Sequence, residues 1–180
     1  SNIVNAFDPK DKGCGRTFIH SSTSGWNQTV YDPHVNILRG TTEAMSAIIG
    51  GTNSLSVLPF DHPYQDSTEF SQRVARNIQI ILREESYFDK VIDPGAGSYY
   101  IEKLSDELAA QSWDLFIEIE NSGGFYQALC QNSIQKKIRA TADARLQLIA
   151  NRKEILLGTN EYPNFEEHKP DDIEAGKGNY

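Results

Sequence analysis

The segments TFIHSSTSG (17–25), DPHVNILRGTTEAMSAIIGG (32–51) and NSLSVLP (53–59) decide the fold class. Residues 17–20 and 55–58 are short apolar runs that predict strands, and each is followed by residues typical of turns. Asp32-Pro33 favours a helix start, because Asp caps a helix and Pro has no N–H to leave unpaired. A helix between two strands predicts a β-α-β unit, in which the strands run parallel.

The same alternation continues along the rest of the chain. Apolar periodicity predicts further helices, and the triplet Ile155-Leu156-Leu157 predicts a third strand. The predicted helices span residues 66–82, 105–122, 125–130 and 134–152. A closed eight-stranded barrel takes about 250 residues. The sequence therefore indicates an α/β fragment with about three parallel βα units.

Composition separates the two ends from the centre and excludes several functions. Residues 1–15 are polar and are interpreted as a lead-in loop or a start left by protein expression, and residues 164–180 as an acidic linker or disordered tail.

The 180 residues include 25 acidic and 17 basic side chains, a net charge of −8. That charge argues against nucleic acid and anionic membrane surfaces as partners. Cys14 and Cys130 match no metal-ligand spacing, and two thiols in 180 residues indicate a reducing, cytoplasmic setting.

Two histidines follow predicted strands and are candidate site residues. His20 ends the first predicted strand and His62 lies just beyond the second. In α/β folds ligands bind at the carboxyl ends of parallel strands. A structural, hydrogen-bonded role stays open for His20.

Seven blocks in order resemble one family. They are HSSTSGW (20–26), NILRGTTEA (36–44), GGTNSL (50–55), RVARNIQ (73–79), EES (84–86), DPGAGSYY (93–100) and LGTNEY (157–162). Together they are similar to the methylmalonyl-CoA mutase family, and the match runs from Arg16 to Pro163 without a large gap.

The resemblance implies the later part of that family's (β/α)₈ barrel: a partial TIM barrel of about three parallel βα units with extra helices, over residues 16–163. The family interconverts methylmalonyl-CoA and succinyl-CoA with adenosylcobalamin, which supplies the radical chemistry. Its cobalt-ligating His lies in a separate domain, in an Asp-x-His-x-x-Gly pattern. Here His34 follows Asp32 but Ile37 replaces the Gly. We therefore expect this fragment alone to be inactive, with no bound cofactor, no metal ligand and no catalytic residue.

The family's cofactor-facing edge corresponds by resemblance to four positions: His20, Ser22, Gly25 and His62. Gly25 matches a glycine that lets the backbone approach the corrin ring. Catalytic chains carry Gln at the position of Ser22 and Glu at that of His62. Both departures would weaken polar contacts with a corrin.

Some members of the family are heterodimers of a large catalytic subunit and a smaller subunit without cofactor. The segments LPFD (58–61) and YYIEKLSDEL (99–108) resemble the small subunit, whereas TSGW (23–26) resembles catalytic chains. We expect a small-subunit fragment; the alternative is a fragment of a catalytic acyl-CoA mutase chain of the methylmalonyl-, isobutyryl- or ethylmalonyl-CoA type. In either case acyl-CoA would be the substrate of the whole enzyme. Because cut strands leave unpaired edges, the fragment is also expected to self-associate.

Overall fold

A computed structural model describes residues 2–167 of the chain. These residues divide into two compact units, 2–94 and 95–167. Most of the predicted acidic tail, residues 168–180, lies outside the described residues. None of the helices in the described part is long and apolar enough to cross a membrane.

The first unit alternates helices and strands, as the sequence predicts. Its predicted lead-in loop contains a short helix and a 3₁₀ turn. In chain order the elements are α1 (Asn2–Ala6), a 3₁₀ turn (Lys12–Gly15), β1 (His20–Ser22), a 3₁₀ turn (Gly25–Asn27), α2 (Val35–Ile49), β2 (Ser54–Ser56) and α3 (Glu69–Glu84). The unit is α/β in class, with a small parallel sheet.

β1 and β2 pair in parallel, with His20 opposite Ser54 and Ser22 opposite Ser56. β1 begins three residues later than predicted, at His20, and its first ladder bond is made by the Ile19 carbonyl. It accepts the N–H groups of Asn53 at 2.9 Å and Ser54 at 3.2 Å, while the Ile19 N–H donates to Asn53 Oδ1 at 2.8 Å. Ladder pairing therefore starts at His20.

The core of the first unit lies where α2 packs on α3. Ala44, Ile78 and Leu82 are its buried members, and the residues around them include Leu55 and Val57 from the β2 segment. The fully buried residues of α2 are small or polar, namely Asn36, Gly40 and Ala44, while the apolar residues Ile37, Met45 and Ile48 pack partly buried against the core. A Cβ on Gly40 would meet the Val57 side chain at 3.8 Å, so the helix lies close to the sheet.

The second unit consists of three helices: α4 (Tyr99–Asn121), α5 (Gly124–Cys130) and α6 (Ser133–Ala150). α4 begins six residues before the predicted start at Ser105, and Glu102 in its first turn accepts the N–H of Gly97, just before the helix, at 2.8 Å. α4 and α6 have no fully buried residue, and many of their apolar side chains are exposed, including Tyr99 and Trp113.

The third predicted strand, residues 155–157, is wrong. Asn160 folds this segment back on itself: its Oδ1 accepts the Leu156 N–H at 2.7 Å, and its Nδ2 donates to the carbonyls of Ile149 at 2.9 Å and Glu154 at 2.8 Å. What remains is one parallel bridge between Leu157 and Glu161. The sheet in the described residues has two strands.

Candidate functional site

The candidate site is the edge of the sheet at which β1 and β2 both end. The first loop, residues 23–31, follows β1, and the second loop, residues 57–68, follows β2. Since the strands are parallel, both loops leave the sheet at the same edge. We call this the carboxyl edge.

The four predicted residues divide between the strand and the two loops. Ser22 ends β1 and Gly25 opens the 3₁₀ turn of the first loop, whereas His62 lies in the second loop. His20 is at the opposite end of β1, two residues before Ser22, and not at the carboxyl edge as predicted. Its Nδ1 lies 2.6 Å from Ser54 Oγ across the sheet. This contact favours a structural, hydrogen-bonded role for His20.

Thr23 ties the start of the first loop to β2 and the second loop. Its N–H donates to the Ser56 carbonyl at 3.0 Å, and its Oγ1 accepts the Leu58 N–H at 2.8 Å. The side chain is buried. Ser22 Oγ donates to the Thr23 carbonyl at 3.3 Å and is exposed. The junction of the two strands is thus closed by side-chain as well as backbone hydrogen bonds.

Glu43 and Arg39, both on α2, hold the rest of the first loop. Glu43 Oε2 accepts the Ser24 N–H at 2.7 Å, and its Oε1 accepts Asn27 Nδ2 at 3.4 Å. Arg39 Nη1 donates to Thr29 Oγ1 at 2.9 Å. Burial lowers the pKa of Arg39, and the charges of Asp32 and Glu43 oppose that shift.

Asn36 is the third polar residue of this helix face and contacts both loops. Its Oδ1 accepts the Thr29 N–H at 3.0 Å and Arg39 Nη1 at 2.7 Å. Its Nδ2 donates to the Thr29 carbonyl at 2.8 Å and to the Phe60 carbonyl at 3.0 Å. We call Asn36, Arg39 and Glu43 the polar clamp.

Asp61 organises the second loop from within. Its side chain is 1% exposed. Its Oδ2 accepts Gln65 Nε2 at 3.1 Å, the Thr68 N–H at 3.1 Å and Thr68 Oγ1 at 3.4 Å. Thr68 is the N-cap of α3, and its Oγ1 accepts the Ser71 N–H. The carboxylate therefore joins the loop to the positive end of a helix, where a negative charge is favoured.

Burial pushes the pKa of Asp61 upward, but hydrogen bonds from Thr68, Ser71 and Gln65 outweigh it, so the pKa is lowered from its ordinary value. The side chain is thus a carboxylate at neutral pH. Burial raises the pKa of the neighbouring Tyr64 phenol, and the negative charge of Asp61 adds to that effect.

Each loop has one buried acceptor without a partner. These atoms are Gln28 Oε1 in the first loop and Asp61 Oδ1 in the second. An unpaired buried polar atom costs about 1–3 kcal/mol. A hydrogen-bond donor that reached either atom would stabilise its loop.

An aromatic row borders the second loop. The His34 ring lies 5.3 Å from that of Phe60, which meets Phe70 edge-on at 6.3 Å. At the opposite end of β2 lies a cavity of about 340 Å³, lined by residues that include Thr52, Asn53 and Arg83. Within residues 2–167, no group of three or more His, Cys, Asp or Glu side chains comes together that could hold a metal ion.

The residues that build the edge were missed from the sequence. Asn36, Arg39 and Glu43 recur at intervals of three and four, the spacing of one helix face. That spacing was a usable signal for a polar helix face. Thr23 and Asp61 carried no such pattern.

A family model described as methylmalonyl-CoA mutase matches residues 1–178. The methylmalonyl-CoA mutase small subunit of Porphyromonas gingivalis is 53% identical over 161 residues, which cover 89% of this chain and 26% of that protein. The small subunit of Streptomyces virginiae is 43% identical over 144 residues, 80% of this chain and 23% of that protein. The methylmalonyl-CoA mutase of Escherichia coli is 39% identical over 175 residues, 97% of this chain and 24% of that protein. The chain spans about a quarter of the length of these relatives.

Proposed function

The chain belongs to the methylmalonyl-CoA mutase family, and on that basis we propose that it is a segment of the small, non-cofactor-binding subunit. In the whole enzyme this subunit would support the isomerisation of methylmalonyl-CoA and succinyl-CoA by a large catalytic subunit that binds adenosylcobalamin. The observation that carries the proposal is the 53% identity to a protein named as the small subunit. The identity to the Escherichia coli mutase is 39%.

The proposed architecture is a part of a (β/α)₈ barrel. Two parallel strands joined through α2, with α3 following β2, have the order that successive βα units of such a barrel require. The boundaries at residues 16 and 163 stay predictions. In this proposal the carboxyl edge is the family's cofactor-facing edge, with Ser22, Gly25 and His62 at its surface.

The residues at this edge do not fit a bound corrin. Ser22 offers a hydroxyl that already donates to the Thr23 carbonyl, and the family-equivalent His20 lies at the opposite end of β1. The unpaired Asp61 Oδ1 is buried, so a group as large as a corrin could not reach it without moving the loop. We therefore assign adenosylcobalamin to the partner subunit and derive no step through it here.

The partners follow from the same assignment. The chain would act in a heterodimer with the catalytic subunit, and acyl-CoA would bind in the whole enzyme. A cytoplasmic location is supported by Cys14 and Cys130, both exposed and unbridged. The retained Thr23-Ser24-Gly25-Trp26 segment favours the second candidate, a segment of a catalytic chain.

Complementation of activity tests the proposal. The full-length protein and its large subunit are purified separately, loaded with adenosylcobalamin and assayed for conversion of methylmalonyl-CoA to succinyl-CoA, alone and mixed. We expect no turnover by the full-length protein alone and turnover by the mixture. Turnover by the full-length protein alone would contradict the small-subunit assignment and favour the catalytic chain.

A further inference from the structure

One buried amide contacts both loops of the carboxyl edge. Asn36 is 1% exposed, and its side chain makes the four hydrogen bonds that an amide can make: two accepted and two donated. The two N–H groups face two carbonyl oxygens, one in each loop. This fixes the orientation of the amide, since a flipped amide would set its oxygen against both carbonyls.

The hydrogen bonds given above for the other members of the polar clamp go to the first loop and to Asn36. Glu43 contacts Ser24 and Asn27, and Arg39 contacts Thr29 and Asn36 itself. The second loop is held by the bond from Asn36 Nδ2 to the Phe60 carbonyl, at 3.0 Å. Phe60 directly precedes Asp61 and His62. This bond therefore holds the backbone just before His62.

We propose that Asn36 is a positioning residue that holds both loops of the carboxyl edge in place before any ligand or partner binds. Together with the contact between Thr23 and Leu58 at the start of the loops, this side chain then sets where Gly25 and His62 lie relative to each other. The inference deepens the proposed function, because it concerns the same edge, but it depends only on contacts within this chain.

Hydrogen–deuterium exchange of the full-length protein, without cofactor or partner, tests the proposal. Asn36→Asp keeps the shape and the accepting oxygen but loses both donated bonds. We expect exchange about tenfold faster in peptides covering both loops, residues 23–31 and 57–68. Peptides covering residues 74–84 of α3 should be unchanged.

Two matched variants separate positioning from a general loss of stability. Glu43→Gln should loosen the first loop and leave the second as it was. Thr42→Val, on the exposed side of α2, should change neither loop. If Asn36→Asp loosened only one loop, or loosened α3 to the same extent as the loops, the proposal would be wrong.

A measurement on the unmodified protein covers the case in which Asn36→Asp does not fold. The side-chain amide protons of Asn36, followed by nuclear magnetic resonance, should exchange as slowly as the backbone amides of the two loops. Rapid exchange of these protons would overturn the proposal. If both loops respond as expected while the complementation assay shows no turnover by the mixture, the proposed function is wrong but the positioning role of Asn36 is supported.

Discussion

The Asp61→Asn substitution is expected to loosen the second loop and the first turn of α3. The buried carboxylate accepts two hydrogen bonds at 3.1 Å, from the Thr68 N–H and from Gln65 Nε2. A bond to a charged group contributes about 1.5–3 kcal/mol and a neutral one about 0.5–1.5, so two bonds lose about 2–3 kcal/mol. Relief of the buried charge offsets part of this loss and leaves about 1–2 kcal/mol.

Exchange of the backbone amides of Thr68 and Ser71 in the full-length protein measures this loss. A cost of about 1–2 kcal/mol corresponds to exchange about 5- to 30-fold faster in the variant at pH 7. Asp89→Asn is the control: Asp89 pairs with Lys90 on the surface at 3.2 Å, and such pairs contribute little. Equal exchange at Thr68 in the variant and the wild type would refute the anchoring role of Asp61.

The pH dependence of the difference supplies a second check. The pKa of Asp61 is lowered in the folded protein, so its stabilising effect is fully present above the unfolded value of about 3.9. The effect is lost as the pH falls through the folded pKa. The difference between variant and wild type should therefore be constant from about pH 7 to 5 and shrink below about pH 4. A difference that grew on acidification would contradict the direction of the shift.

Three further predictions concern activity, assembly and packing. We make the double variant Ser22→Gln and His62→Glu in the full-length protein and assay it without its partner. It should show no methylmalonyl-CoA turnover, because catalytic groups act as a unit. Turnover would contradict the small-subunit assignment. The 180-residue chain should sediment as a dimer or larger, since its strand edges and apolar side chains such as Phe18, 72% exposed, lack cover; a stable monomer would refute this. Leu82→Ala should lower the free energy of unfolding by about 2–5 kcal/mol in denaturant titrations. Leu38→Ala, at a side chain that is 64% exposed, should cost about 0.5 kcal/mol or less. Equal losses would contradict the packing of α2 on α3.

The helices could be predicted from the sequence because their periodicity and caps are local. α3 begins at Glu69, three residues after the predicted start at residue 66, and the apolar residues Ile78 and Leu82 of its periodic pattern are buried. Phe70, from the same pattern, is 64% exposed. Periodicity indicates which residues share a face, but the neighbours of that face decide how far burial extends.

The strands and the site could be predicted only in part, because they depend on distant contacts. Residues 155–157 are apolar enough for a strand, yet Asn160, a residue three positions beyond them, folds them back. His20 was placed at the carboxyl edge because the strand was expected to end there, whereas the register with Ser54 makes it the first residue of β1. Three of the partners of Asn36 are backbone groups of the loops, which are the same in every sequence, so no side-chain pattern indicated them.

The cobalamin content of the purified complex tests the central claim most directly. The full-length protein and its large subunit are mixed, saturated with adenosylcobalamin, freed of excess cofactor and measured by absorbance against protein concentration. We expect one cobalamin per heterodimer, with none retained by the full-length protein alone. Two cobalamins per heterodimer, or one retained by the full-length protein alone, would contradict it.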